Sequence, residues 1–294
     1  MIEGLAHEQT RGMVNPREAG SYRPRSELAE LTGIIVSCIV ALLLVSPVLK
    51  VPLLALPLVA FGSPLHLQLS RELVVGAFSG ALAWLGFRAL VVLHPSYSAG
   101  SHVYSHCILP TLSAIAISVF WQRQSGASIE SRLIMAAAIS LFLSLVMLGQ
   151  YAAVEGESHW VVHLRTAMSV ICLSVGLYLY IMIYGTRARS LVTASAVALL
   201  GACLALDILQ YEADREWRVL RAAATIGLVL GECAWALNYC RVSPLRAGFL
   251  LLIVTYLLVG LTRRLLQGTL NAVALLEHAT MAAILVAVMM RLSF

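Results

Sequence analysis

Long apolar runs separated by short polar turns form the dominant pattern of this chain. A helix needs about 20 mostly apolar residues to cross the hydrocarbon core of a bilayer. Helices rather than strands are expected, because a helix satisfies its backbone hydrogen bonds internally even when lipid surrounds it. The pattern predicts ten membrane-spanning helices, at 29–49, 51–69, 72–93, 106–121, 132–154, 161–184, 190–211, 219–240, 246–263 and 271–291.

The second predicted span, 51–69, differs from the others in its proline content. It contains Pro52, Pro57 and Pro64, and each proline removes a backbone N–H donor from a helix. Local sequence alone therefore leaves a broken helix and a re-entrant hairpin open for this segment. The distribution of cations favours a full crossing, since the positive loops would otherwise change sides of the membrane after Lys50.

The cations also predict the orientation of the bundle. With ten crossings, both chain ends fall on the side that holds most of the arginines, whereas loops 94–105 and 155–160 on the other side contain no Lys or Arg. Because cytoplasmic loops carry an excess of Lys and Arg, the pattern predicts a cytoplasmic N-terminus and C-terminus. The exceptions on the outer side are Arg215, Arg218, Arg263 and Arg264.

Composition supports membrane residence and excludes some classes of protein. The chain has 294 residues, of which 60% are hydrophobic and 12% are charged, whereas about a quarter of the residues of a soluble domain are charged. The fold class predicted is an all-α, polytopic transmembrane helix bundle with the lipid bilayer as its partner. The net charge of +5 is spread over short loops, so nucleic-acid binding is not expected.

The chain divides into two predicted parts. Residues 1–28 are polar and of mixed charge, which predicts a flexible cytoplasmic tail, and residues 29–294 form the transmembrane helical domain. The tail is too long and too acidic for a signal peptide. Because no organellar targeting segment is recognisable, a bacterial plasma membrane is the simplest expected location.

Two glycine pairs predict close packing between helices. Gly76 with Gly80 and Gly227 with Gly231 form G-x-x-x-G patterns, which let neighbouring helices approach closely. Such surfaces fit contacts within the bundle, a homo-oligomer or contacts with other membrane proteins. The six cysteines lie within or beside apolar segments and form no C-x-x-C pair, so they are interpreted as packing residues.

Ionisable residues inside the predicted spans are the first candidates for function. Glu232 lies within span eight, where an unpaired carboxylate costs a few kcal/mol, so it is a candidate proton carrier, ion ligand or substrate contact. The alternative is a protonated or hydrogen-bonded glutamate that only fixes helix packing. Asp207, Arg88, Glu277 and His278 are further intramembrane candidates nearer the outer face, and Arg88 is a candidate ion-pair partner of Asp207 or Glu277.

Some residues near the span ends are interpreted through the membrane interface. For Arg88 and Arg165, snorkelling of the guanidinium to the interface is the favoured interpretation. Amphipathic aromatic rings also favour the interface. Those near predicted span ends are Trp121, Tyr151, Trp160, Tyr184, Tyr211, Trp217 and Tyr239.

Histidines on the predicted outer side are the second candidates for function. His102 with His106 and His159 with His163 have H-x-x-x-H spacing, which puts both imidazoles of a pair on one face of a helix. Two imidazoles can ligate one metal ion such as Zn, Cu or Fe. The alternative is interfacial histidine without metal, because the pattern lacks the glutamate of the H-E-x-x-H motif.

Three functional hypotheses follow from these residues. The first is a transporter or permease-like bundle with a polar intramembrane site. The second is a membrane-embedded enzyme, metal-dependent in one version, that acts on a lipid at the outer face. The third is a non-catalytic subunit of a membrane complex. The sequence carries no phosphate-binding loop, dinucleotide-binding fingerprint or nucleophile elbow that would select an enzyme class.

Overall fold

The structure is a computed structural model in which ten helices and one β-hairpin are described. It describes residues 25–291 apart from 49–53, 61–62, 93–102, 125, 127, 155–158, 187, 213–215 and 241. The elements in chain order are α1 (Arg25–Val45), β1 (Leu54–Ala60), β2 (Ser63–Leu69), α2 (Arg71–Val92), α3 (Val103–His106), α4 (Ile108–Arg123), α5 (Ile129–Ala153), α6 (His159–Gly185), α7 (Ser190–Leu209), α8 (Glu216–Asn238), α9 (Pro244–Leu266) and α10 (Ala272–Arg291).

The hairpin of β1 and β2 stands where the sequence predicts a helix over 51–69. The strands pair antiparallel, with Leu54 opposite Leu69 and Ala60 opposite Ser63. Proline inside a helix costs about 3 kcal/mol or more, whereas a two-stranded hairpin consists only of edge strands, which tolerate proline. The prediction of a helix over 51–69 is therefore wrong, and the prolines are the physical reason.

Outside the hairpin, the predicted transmembrane bundle is confirmed. Within the described residues, eight helices are long and apolar enough to cross a membrane. These eight spans are Glu27–Val45, Arg71–Val92, Tyr104–Arg123, Ile129–Ala153, His159–Gly185, Ser190–Leu209, Trp217–Asn238 and Pro244–Leu266. Helix α10 has 20 residues and a shorter apolar segment, Leu275–Ala287. Many large apolar side chains point away from the bundle, as lipid contact requires.

Local sequence accounts for several helix ends. The Ser128 side chain accepts a hydrogen bond from the Ser131 amide at the start of α5, and Ser243 does the same for Arg246 at the start of α9. Such capping satisfies amides that have no acceptor inside the helix. Gly268 has φ +69° in the turn between α9 and α10, a left-handed conformation that glycine adopts without steric cost.

Contacts between helix ends define two ends of the bundle. Arg71 at the start of α2 donates to Pro47 O just after α1, at 3.5 Å, and to Gln122 Oε1 near the end of α4, at 3.3 Å. We call this the lower end. At the opposite, upper end, Arg165 near the start of α6 donates to Ala153 O at the end of α5. Helices α1 and α2 are therefore antiparallel although the hairpin lies between them.

This arrangement separates the two ends of the described chain. Helices α9 and α10 are also antiparallel, because Arg264 near the end of α9 pairs with Glu277 near the start of α10. Following the alternation of directions through the bundle, Arg25 lies at the upper end and Arg291 at the lower end. The number of membrane crossings and the predicted cytoplasmic position of both termini stay predictions.

The core consists of two apolar clusters that share α4 and α5. One cluster includes Ile39 of α1, Phe87 of α2 and Leu143 of α5. The other is built on α6 to α9 and includes Leu204 and Leu230. The bundle thus has an α1–α2 side and an α6–α9 side.

Both glycine pairs are used inside the bundle. A Cβ on Gly227 would lie 2.5 Å from Ala198 O, and one on Gly231 would lie 2.9 Å from the Ala198 Cβ, so α8 packs directly against the α7 backbone. Gly80 similarly faces Ile115 of α4. The predicted close helix approach is confirmed, and these glycines do not support a surface for a separate partner.

Candidate functional site

The interior of the upper end is organised around Asp207. This residue lies in the last turn of α7 and is only 3% exposed. The Gln150 amide of α5 donates to Asp207 Oδ1 at 3.4 Å. The Cys172 thiol of α6 and the Leu109 backbone N–H of α4 also hydrogen-bond the Asp207 carboxyl group. Four helices therefore meet at one carboxyl group.

The bond from Leu109 follows from where α4 begins. The chain leaves α3 at Cys107 and starts α4 at Ile108, so the Leu109 amide lies in the first turn. First-turn amides have no acceptor within their own helix, and the positive end of the helix dipole favours a carboxylate beside them. Asp207 thus supplies the acceptor that α4 lacks at its N-terminal end.

The polar groups around Asp207 leave some hydrogen-bonding capacity unused. Among the described residues, no Lys, Arg or His lies within ion-pair distance of the Asp207 carboxyl group. Gln150 is 1% exposed, and its Oε1 has no hydrogen-bond partner in the described part of the chain. A buried acid without a cation, beside an unsatisfied amide oxygen, is chemically suited to hold a proton or a small cation.

A layer formed by Tyr211, His106 and Arg165 lies between this cluster and the surface. The Tyr211 hydroxyl is 3.2 Å from His106 Nδ1. The Arg165 guanidinium carbon lies 4.3 Å from the centre of the Tyr211 ring, and its Nε and Nη2 donate to Ala153 O at 3.2 and 3.1 Å. Burial raises the pKa of Tyr211 above its usual value of 10.0, so this phenol stays protonated.

A cleft of about 940 Å³ opens above this layer. Its lining residues come from α6, from the segment that follows α7, from α9 and from α10. Its ionisable and hydrogen-bonding lining includes Arg165, Tyr211, Glu212, Arg263, Arg264, Gln267, Glu277 and His278. The apolar part of the lining includes Val162, Met281 and Ile284.

Ion pairs order the charged end of the cleft. Arg263 Nη2 lies 2.5 Å from Glu212 Oε1, and Gln267 donates to Glu212 Oε2 at 2.6 Å. Arg264 Nη2 is 3.6 Å from Glu277 Oε2, a longer contact. These pairs account for the arginines that contradict the positive-inside pattern at this end, since Arg263 and Arg264 line a site together with acids.

His278 also belongs to the cleft. Its ring stacks on Tyr256, with centroids 6.0 Å apart and planes at 22°. A Cβ on residue 260 would lie 2.5 Å from His278 Nε2, so the absence of a side chain at Gly260 makes room for the imidazole. The local sequence of α9 therefore fixes where this histidine lies.

The predicted intramembrane residues lie at three different places in the structure. Asp207, Glu277 and His278 lie at the upper end, in the buried cluster and the cleft. Arg88 lies apart from them, with its guanidinium carbon 5.7 Å from the centre of the Tyr104 ring. The predicted pairing of Arg88 with Asp207 or Glu277 is wrong, because Glu277 pairs with Arg264 and Asp207 accepts from neutral groups.

Glu232 occupies the third place, outside the site. It is exposed on α8, on the face turned away from α7. Its role as an interior proton carrier therefore has no structural support. Its surroundings are those of the outer surface of the bundle.

The predicted metal site stays a prediction. His102 lies outside the described residues. His159 and His163 share a face of α6 with ring centroids 5.6 Å apart, and His106 contacts Tyr211. Among the residues that the structure describes, no three His, Cys, Asp or Glu side chains are grouped to hold a metal ion. Elemental analysis of the purified protein tests the prediction directly.

Sequence reasoning misses Gln150 and gives Tyr211 only an interfacial role. Gln150 is a polar residue within an apolar span, which is a recognisable signal. The Arg165 guanidinium donates to Ala153 O at the upper end of α5 and lies over the Tyr211 ring, and its interpretation as an interfacial arginine stays a prediction. No sequence pattern identifies these two partners, because they depend on where α5 ends.

Comparison of the chain with protein-family models finds a match. Residues 51–292 match the model of a family described as "Protein of unknown function (DUF5656)". No curated protein and no solved structure matches the chain significantly.

Proposed function

We propose that the chain, which belongs to the DUF5656 family of proteins of unknown function, is a permease-like membrane protein that binds an amphipathic anion in its upper cleft. The observation that carries this proposal is the lining of the cleft. Three arginines line this cleft together with apolar side chains of α6 and α10. A ligand with an anionic head and an apolar tail matches both parts.

The charge of the lining supports an anion. Three arginines and two glutamates line the cleft, which leaves one positive charge in excess with His278 neutral. Arg263 is held by a short contact to Glu212, whereas the contact between Arg264 and Glu277 is longer. Arg264 is therefore the cation that an incoming anionic group recruits most easily.

The depth of the cleft supports an apolar tail. Ile284 follows Glu277 by seven residues on α10, which corresponds to about 10 Å along a helix. Val162 of α6 and Met281 and Ile284 of α10 line the cleft and are also exposed, so in a membrane the cleft would adjoin the lipid layer. A lipid-like molecule therefore reaches such a site directly from the lipid layer.

Asp207 is the proposed proton-binding residue of this permease-like bundle, in place of Glu232. Its carboxyl group lies below Tyr211, whose ring contacts Arg165 in the cleft lining. Binding a proton there changes the charge directly under the site, and this supplies a route for coupling. Substitution of Asp207 by Asn tests the coupling, because Asn cannot exchange a proton.

The lower end is assigned to the cytoplasm in this proposal. From the end of α1 onward, the cations that fall at the lower end by sequence are Lys50, Arg71, Arg123, Arg132, Arg187, Arg189, Arg241, Arg246 and Arg291. The upper half of the chain after α1 holds seven cations, Arg88, Arg165, Arg215, Arg218, Arg221, Arg263 and Arg264, against nine in the lower half, and this excess supports a cytoplasmic lower end. The arginines at or before the first residue of α1, at positions 11, 17, 23 and 25, oppose this assignment. The cleft then opens at the outer face, and residence in a bacterial plasma membrane remains part of the proposal.

Fluorescently labelled phosphatidylglycerol and phosphatidylcholine test the ligand class. The protein is reconstituted in vesicles, and both binding and exchange of each lipid between leaflets are measured. We expect preference for phosphatidylglycerol, reduced about two- to fivefold by Arg264→Gln, the range for an exposed charge contact. Arg123→Gln, an exposed arginine at the lower end, is the matched control. Equal handling of the two lipids by the unmodified protein would exclude the proposal.

A further inference from the structure

The outward face of α8 carries an acidic residue within the membrane span. Arg221, Thr225, Leu228 and Glu232 are all exposed and follow one another at spacings of four, three and four residues. Residues at these spacings lie on one face of a helix. A different face of α8 packs closely on α7 through Gly227 and Gly231.

The depth of Glu232 makes its exposure costly. It precedes the last residue of α8, Asn238, by six residues, or about 9 Å along the helix axis. The span Trp217–Asn238 is apolar enough to cross the membrane. A carboxylate in a lipid-facing position inside a span costs a few kcal/mol, and acids in spans normally face other helices or water.

Nothing in the described part of the chain compensates this charge. No described residue forms a hydrogen bond or ion pair with the Glu232 side chain. The cation nearest along the same face is Arg221, eleven residues away, which corresponds to about 16 Å. The side chain of glutamate is too short to cover that distance.

We propose that this face of α8 binds a transmembrane helix of another protein, and that this helix carries a Lys or Arg at the depth of Glu232. A cation in the partner compensates the carboxylate where the chain itself offers none. The apolar neighbours Leu228 and Trp235 supply contact area on the same face, where both are exposed.

Charge complementarity argues against a second copy of this chain as the occupant. In a two-fold dimer with both copies in the same orientation, equivalent residues meet at the same depth. Glu232 would then face another Glu232, which places like charges together. The surface is thus complementary to a different partner, and this inference does not depend on the proposed ligand of the cleft.

A synthetic helix provides a defined probe for this surface. The probe is a Leu/Ala helix of about 20 residues, long enough to span a bilayer, with one Lys at the depth of Glu232. A second probe has Leu at that position. Energy transfer between labelled probe and labelled protein is measured in phosphatidylcholine vesicles, for the unmodified chain, Glu232→Gln and Glu130→Gln. Glu130 is an exposed acid in the first turn of α5 at the lower end.

We expect the Lys probe to bind the unmodified chain about fivefold more tightly than the Leu probe, which corresponds to about 1 kcal/mol. The preference should disappear in Glu232→Gln and persist in Glu130→Gln. Glu232→Lys should instead prefer a probe with Glu, which keeps the test informative if one variant folds poorly. Equal binding of the two probes, a preference that survives Glu232→Gln, or self-association as strong as Lys-probe binding would overturn the proposal.

Discussion

Asp207 and Glu232 lie on adjacent, closely packed helices and have opposite surroundings. Asp207 of α7 is 3% exposed and accepts hydrogen bonds from Gln150, Cys172 and Leu109. Glu232 of α8 is exposed and has no hydrogen bond or ion pair with any described residue. Both are carboxyl groups inside apolar helices, so the difference arises from the helix face on which each one lies.

The comparison separates two kinds of function for intramembrane acids. An acid held by neutral donors in the interior responds to a proton or a small ion. A carboxyl group on the lipid-facing surface interacts instead with a molecule that takes the place of lipid, such as another transmembrane helix. The polar interior and the outer face of α8 are therefore tested with different probes.

The largest expected effect concerns the membrane topology, because each chain end lies either in the cytoplasm or outside. The hairpin brings the chain back close to where it leaves α1, and α1 and α2 are antiparallel. We therefore expect the two chain ends on opposite sides of the membrane. A reporter fused after residue 294 should be active in the cytoplasm, and one fused before residue 1 should be active outside. Asp207 then lies nearer the outer face and Glu232 nearer the inner face.

Cysteine labelling provides the control for the fusions. In a variant without the natural cysteines, Ser128→Cys at the lower end should be protected from an impermeant reagent added outside, and Thr269→Cys at the upper end should react. Reporters on both chain ends that are active in the same compartment would restore the ten-crossing arrangement and contradict the antiparallel packing of α1 and α2.

Removal of each carboxyl group should affect stability very differently. Asp207→Ala leaves the Gln150 amide and the Leu109 N–H without their acceptor, and we expect the free energy of unfolding to fall by about 3 kcal/mol. Glu232→Ala breaks no hydrogen bond or ion pair with a described residue and removes an uncompensated carboxyl group from the span, so it should not lower the free energy of unfolding. Chemical unfolding of both variants in the same mild detergent measures the difference.

Asp207→Asn is the matched variant for this pair. It keeps one acceptor oxygen, so its stability should lie between those of Asp207→Ala and the unmodified chain. If Asp207→Ala and Glu232→Ala lost stability equally, the contrast between a buried and an exposed acid would be disproved.

Most helices of this protein could be predicted from the sequence, because a helix that crosses a bilayer needs about 20 mostly apolar residues. The span predicted at 132–154 corresponds to α5 at Ile129–Ala153, and that at 190–211 corresponds to α7 at Ser190–Leu209. The prediction failed at 51–69, where the prolines left a re-entrant hairpin open and the distribution of cations was interpreted in favour of a full crossing. Mean hydropathy does not distinguish a helix from a hairpin in such a segment.

The candidate site could be predicted only in part. Asp207, Glu277 and His278 were recognisable as ionisable residues in apolar segments. Their partners were not, since the contact from Arg264 to Glu277 and the bond from Leu109 to Asp207 depend on which helices are neighbours. The outward position of Glu232 did have a signal, because Thr225 and Arg221 share its helical face.

The smallest expected effect is that of replacing Tyr211, which lies between the buried cluster and the cleft. Burial, followed by the charge of Asp207, raises the pKa of this phenol above 10.0, and Arg165 opposes the shift. The folded state therefore holds the proton more tightly than the unfolded state, so the contribution of Tyr211 to stability is complete below pH 10 and is lost as the pH rises towards the folded-state pKa.

Tyr211→Phe should cost about 1 kcal/mol at neutral pH, by loss of the contact with His106, and should reduce the decline in stability above about pH 10. Tyr104→Phe is the matched control, because Arg88 lies over that ring too but the residue is exposed. An unchanged decline in Tyr211→Phe, measured by unfolding between neutral and alkaline pH, would show that this phenol does not lie in a buried environment.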